Sequence, residues 1–148
     1  MYKDLDLRII ECLQKDGRAS LRKVAEELSV STTTVSHHLK ALLQRGVIRG
    51  FAPILDWPKL GFNLTAITLI KAKGNKIPEI VGTLKGDENL THVYEITGEF
   101  DILVIGKYKD QDRMNAEIKR LLSHPAILET NTSVVLALVK EGAWVRLY

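Results

Sequence analysis

The stretch that most restricts the fold is residues 31–50, STTTVSHHLKALLQRGVIRG. It opens on Ser31, Thr32, Thr33 and Thr34, whose side-chain oxygens suit the unpaired N–H groups of a first helical turn. Val35, Leu39 and Leu42 follow at i, i+4 and i+7, one face of a helix. At about 100° per residue, the opposite face holds Thr33, His37, Lys40 and Gln44, with Thr34, Ser36 and Ala41 beside it. Gly46 stops the helix, and Val47 and Ile48 lead out of it. A short helix with this small polar outer face, Lys40 in its middle and Arg45 near its end fits a DNA-reading helix. It fits an ordinary solvated helix equally well. The neighbouring segments decide between them.

Upstream, residues 4–16 place Leu5, Ile9, Cys12 and Leu13 on one helical face, with Asp4 or Asp6 expected as the starting cap and Gly17 as the stop. Ser20 caps a second helix with Leu21, Val24, Ala25 and Leu28 as its buried stripe. Only Ser29, Val30 and Ser31 separate it from the third, too few for anything but a tight corner. Three short amphipathic helices joined this way make a helix-turn-helix arrangement.

Charge supports the same reading. Residues 1–50 carry nine basic and six acidic side chains, the whole of the net charge of +3, and residues 51–148 are neutral. A basic head joined to a neutral body suits a polyanion-binding module attached to a part with another task. Arg22, Lys23, Arg45 and Arg49 are expected to hold phosphates through charge, and the hydroxyls of Ser31, Thr32 and Thr34 to join them from the helix start. Thr33, Ser36, His37 and Lys40 face outward, with Thr33, His37 and Lys40 the candidates for base edges. His38 lies nearer the apolar stripe and is expected to pack partly against the core. Two adjacent imidazoles add positive charge as pH falls, which would strengthen attraction to phosphate.

No run reaches the roughly 18 apolar residues that a membrane span needs, and MYKDLDLR lacks the basic-then-apolar pattern of a signal peptide. Cys12 is the sole cysteine, so no internal disulfide forms and a reducing cytoplasm is the expected location. With four histidines it shows no metal-ligand spacing, so neither a metal nor another cofactor is expected.

The remainder reads as a different domain. Residues 48–54 form an expected edge strand interrupted by Pro53, and LDWPKLGFN resembles a hinge. Then come a strand from Leu64 to Lys73, a helix from Asn75 to Leu84, a strand from Thr91 to Thr97 and a turn at Gly98–Asp101. A strand from Ile102 to Tyr108, a helix over 110–123 and a strand over 130–139 complete it. The fold class is therefore α+β: an N-terminal, winged-helix-like helix-turn-helix domain followed by a ferredoxin-like βαββαβ domain. The boundaries fall at 1–50, 51–63 and 64–148. Two helices cover one face of such a sheet, yet the strand at Ile102–Ile105 and the segment Val134–Val139 are apolar on both faces. Oligomerisation is the simplest cover, and a homodimer would present two heads to a palindromic duplex.

Taken together, these segments resemble the Lrp/AsnC (feast/famine) family of archaeal and bacterial transcriptional regulators. The likeness rests on residues 6–51, on the connector LDWPKLG at 55–61, on GEFD at 98–101 and on TNTSVVL at 130–136. It implies a double-stranded DNA-binding head and an effector-binding second domain. It also implies homodimers built by facing sheets, often joined into tetramers or octamers, in which the edge strand after the head pairs with its counterpart. The effector of such proteins is commonly an amino acid, bound near the GEFD loop. Gly98 and Asp101 match the glycine and acid of that motif, with Thr97 and Thr132 as neighbours. His37 and His38 depart from the family, which is richer in arginine there.

Two rival readings remain. Some relatives decarboxylate tetrapyrroles, which would call for histidine and arginine around a large pocket. The second domain offers His92, His124, Arg113, Arg120 and Arg146, dispersed in sequence. An amino-acid sensor without DNA binding is the other, disfavoured by the intact basic head.

Overall fold

The computed structural model describes residues 3–142 and 144–148. The chain divides into two compact units: Met1–Leu55 with Lys140–Tyr148, and Asp56–Val139. The last nine residues thus group with the first unit, whereas the sequence carried the second domain to residue 148.

Among the described residues the first unit holds α1 (Asp4–Lys15), α2 (Leu21–Leu28) and α3 (Thr32–Gln44). The expected capping by Asp4 or Asp6 does not occur. Lys3 occupies the cap position without a side-chain bond, and both acids lie in the first turn, where carboxylates favour the positive end of the helix dipole. Ser20 and Ser31 do cap: each Oγ accepts from the backbone N–H three residues on, at 3.1 Å in both helices. The corner between α2 and α3 turns on Ser29, held left-handed at φ 56°. Its N–H and that of Val30 satisfy the last carbonyls of α2. Gly46, at φ 70°, ends α3 in the same way, and Val47 N–H returns to Leu42 C=O. Ile9, Cys12, Val24, Ala25, Leu28 and Val35 form the core, and Leu42 is fully buried. Burial pushes the Cys12 thiol up, so it packs as an unreactive small side chain.

The second unit contains β1 (Leu64–Ala72), α4 (Ile77–Lys85), β2 (Leu90–Glu95), β3 (Ile102–Tyr108), α5 (Gln111–Leu122) and β4 (Ile127–Val134). The strands form one sheet in the order β2-β3-β1-β4 with every pair antiparallel. Ile70, Ile102 and Val104 point to the side where Ile80, Leu84 and Leu121 of α4 and α5 pack. Ile67, Leu69, Leu103 and Ile105 point to the other side and are only half-buried.

Two expected strands are corrected. Residues 48–54, all described, carry no strand, and Phe51 and Ile54 are exposed. A strand is defined by its pairing, and no described segment of this chain pairs with them. The final strand, which pairs with β1, begins earlier and ends sooner than 130–139. Val134 lies opposite Ala66, and Val135 N–H makes the last bond, to Thr65 C=O. β1 itself runs on to Leu64, but the pairing with β4 does not, and Leu136 is 100% exposed. The connector is less of a hinge than its Pro and Gly suggest. Pro58–Leu60 is a 3-10 turn, Trp57 and Phe62 meet edge-to-face at 5.7 Å, and Lys107 Nζ lies 5.8 Å from the Trp57 ring.

Candidate nucleic-acid interface and effector loop

Helix α3 presents Thr32, Thr33, Ser36, His37, Lys40 and Gln44 to solvent while Val35 and Leu42 anchor it. Its first turn is partly committed to itself. Ser31 Oγ accepts from Thr34 N–H and also lies 2.7 Å from Thr34 Oγ1, which leaves Thr32 and Thr33 as the outward hydroxyls. Arg22, Lys23, Arg45 and Arg49 are all exposed. Arg22 is paired with Glu26 at 3.0 Å and Lys23 with Asp16 at 2.8 Å. The hydrogen bond from Lys23 holds the Asp16 carboxyl below its ordinary range. Both pairs sit in solvent, where an exposed ion pair contributes little, so either cation can exchange its carboxylate for a phosphate.

His38 behaves differently from its neighbour. His37 is exposed, but His38 is half-buried and its Nδ1 lies 2.7 Å from Asp6 Oδ1 on α1. Asp6 is the residue that sequence reasoning misplaced, as a cap. The signal was present: Asp6, Ile9 and Leu13 fall at i, i+3 and i+7, which puts a carboxylate on the buried stripe of α1.

In the second unit, residues 96–101 join β2 to β3. Gly98 has φ 109°, a conformation that L side chains rarely adopt, although a Cβ there would meet open space. Backbone geometry, not crowding, therefore calls for glycine. Asp101 ties the loop to the end of β1. Its N–H donates to Ile70 C=O, its C=O accepts from Ile96 N–H, and its Oδ2 accepts from Ala72 N–H at 2.8 Å. The β1–β3 ladder ends at Ile70 opposite Ile102, so the carboxylate supplies the acceptor that the next rung lacks. Thr97 and Gly98 are exposed at the tip. Thr132 does not share their surroundings in sequence register: it lies opposite Thr68, with the two hydroxyls 3.0 Å apart.

The basic residues that a tetrapyrrole enzyme would assemble are scattered. His92 lies opposite Ile105 on the open face of the sheet. Arg120 and His124 share a groove of about 340 Å³ between α4 and α5. There Arg120 is bound to Asp87, and His124 Nδ1 accepts from Ala126 N–H. Among the described residues no group of three or more His, Cys, Asp or Glu is arranged to hold a metal ion. No helix of the described residues is long and apolar enough to cross a membrane.

A helix-turn-helix head with a polar, outward-facing third helix, joined to an α+β domain with an antiparallel four-stranded sheet, defines a class of DNA-binding regulators that carry a ligand-binding module. Residues 3–49 match the winged helix-turn-helix DNA-binding family, and residues 65–145 match the Lrp/AsnC ligand binding domain. An uncharacterised HTH-type transcriptional regulator of Pyrococcus abyssi is 45% identical over 95% of this chain and 96% of its own length. The HTH-type transcriptional regulator FL11 of the same organism is 36% identical over 93% and 91%. Among solved structures, a Neisseria meningitidis transcriptional regulator in complex with L-methionine superposes with a TM-score of 0.92 at 21% identity, covering 99% of this chain and 97% of that one. Escherichia coli AsnC gives 0.87 at 22%, covering 97% and 98%. The chain belongs to the Lrp/AsnC family and is a DNA-binding transcriptional regulator.

Proposed function

We propose that this regulator works as a homodimer, or as a tetramer or octamer of such dimers, whose DNA grip answers to an amino-acid effector. The observation that supports assembly is the open sheet face, where Ile67, Leu69, Leu103 and Ile105 lie together with neither α4 nor α5 over them. A second sheet placed against it removes that apolar surface from water. Residues 48–54 then gain in the assembly the strand partner that they lack among the described residues of one chain. Two heads brought together address a palindromic operator in double-stranded DNA. Thr33, His37 and Lys40 contact base edges with Ser36 alongside. Ser31, Thr32, Thr34, Arg22, Lys23, Arg45 and Arg49 serve the phosphates. The protein carries out no catalysis, requires no metal or other cofactor, and acts in the cytoplasm, where its DNA lies.

The effector reading rests on the loop at residues 97–101. Its left-handed Gly98 exposes backbone, and Asp101 supplies a carboxylate suited to an α-ammonium group. Thr97 and Thr132 complete the proposed set. The fold-neighbour bound to L-methionine makes amino acids the class to try. Calorimetric titration of the whole protein against each of the twenty amino acids tests the reading, and binding by none of them overturns it. Asp101→Asn keeps an oxygen for Ala72 N–H but removes the charge. Loss of affinity in that variant assigns the carboxylate to the ligand, and unchanged affinity leaves it as a brace of the loop alone.

A further inference from the structure

The stripe that seats α3, chiefly Val35 and Leu42, is apolar, and apolar contact has no preferred direction. It holds the helix down and limits its rotation about its own axis, but less sharply than a directional contact does. Hydrogen bonds to base edges demand that rotation. With side chains reaching about 5–6 Å from the axis, a roll of about 10° moves an outer atom by about 1 Å. The useful donor–acceptor window is about 2.7–3.2 Å, so such a roll empties it.

One directional contact joins the middle of α3 to α1. Asp6 Oδ1 lies 2.7 Å from His38 Nδ1, and Asp6 is only 6% exposed. An ionised carboxylate only accepts, so Nδ1 is the donor. A carboxylate this deeply placed is costly to leave unpaired, which makes the contact hard to give up. His38 immediately follows His37 on the outer face, and Lys40 is two residues further on. Orientation imposed at His38 is therefore imposed on both.

We propose that Asp6 and His38 form a positioning strut that sets the roll of α3 and thereby the sequence discrimination of the head, with neither side chain touching a base. The inference rests on α3 being the DNA-reading element.

The test uses the full chain and a duplex selected by the wild-type protein from random-sequence DNA, with a scrambled duplex of equal length as reference. Failure of the wild type to select any sequence would sink the reading of α3 itself, before the strut is tried. Affinity for both duplexes is then measured across a salt series, alongside the melting temperature. His38→Leu and Asp6→Ala are expected to lower the ratio of selected to scrambled affinity by about tenfold or more, with the scrambled affinity and the salt slope unchanged. His38→Asn places an amide N–H the same number of bonds from the backbone as Nδ1 and is expected to keep the ratio within about threefold. His38→Gln sets its donor one bond further out and is expected to lose discrimination while staying folded, so the Asn and Gln pair decides the matter if the apolar variants unfold. An unchanged ratio in folded His38→Leu or His38→Gln overturns the proposal. So does a salt slope reduced by about one, which marks a direct phosphate contact.

Discussion

In the first unit three helices enclose Ile9, Val24, Val35 and Leu42 completely, and the surface left over is polar and basic. In the second unit two helices enclose Ile70, Ile102 and Val104, while Ile67, Leu69, Leu103 and Ile105 remain on a sheet face that they do not reach. The head is complete as a buried core, and in the proposed reading one short helix with few cations needs a second head to grip DNA. The sheet unit is the reverse, with an apolar face left over that the proposed assembly would cover. In the proposed assembly each unit would supply what the other lacks, since pairing sheets would double the number of heads.

Three changes test that division, in descending order of effect. Leu42→Ala removes a fully buried side chain from a small core and is expected to cost about 2–5 kcal/mol. The amides of α1, α2 and α3 should then lose protection from hydrogen exchange while the sheet keeps its own. Simultaneous loss in both units would show that the head has no separate stability. Ile105→Glu places a charge at the centre of the open face, opposite Ile67 on one side and His92 on the other. Light scattering is expected to report a single chain in place of the assembly. Affinity for a two-site duplex should fall by about a hundredfold, the gain that linking two sites ordinarily brings. An unchanged mass would move the interface elsewhere.

The smallest effect concerns the covered side of the sheet. Glu117 on α5 is buried beside Tyr108 and Asp87, and its Oε1 has no hydrogen-bond partner. Burial, reinforced by the nearby Asp87 charge, pushes the Glu117 carboxyl up, and burial likewise pushes the Tyr108 phenol up. A carboxyl that holds its proton more readily when folded contributes fully below its unfolded value, and that contribution is lost as pH rises through the raised folded value. Glu117→Gln is expected to abolish this loss, leaving the variant the more stable of the two as pH rises toward neutral. Melting curves of the two proteins from pH 4 to 8 check it, and parallel profiles would remove Glu117 as the cause.

Most of the element order could be read from periodicity. The i, i+4, i+7 pattern at Val35, Leu39 and Leu42 and the capping serines Ser20 and Ser31 act within one helix, so nothing distant is needed to interpret them. The resemblance to a known family added the significance of Gly98 and Asp101. What sequence could not show was pairing. The edge strand expected at 48–54 has no partner among the described residues, and the last strand stops at Val134, opposite Ala66 of β1. The carboxylate of Asp101 braces Ala72, 29 residues earlier in the chain. Asp6 and His38, 32 residues apart, looked like a helix cap and a core-facing imidazole until the fold brought them to 2.7 Å. Local backbone preference and hydrophobic spacing are properties of a short segment and survive without its surroundings. The partner of a buried charge or of a strand edge is set by where the whole chain has brought it, and only the tertiary structure decides that.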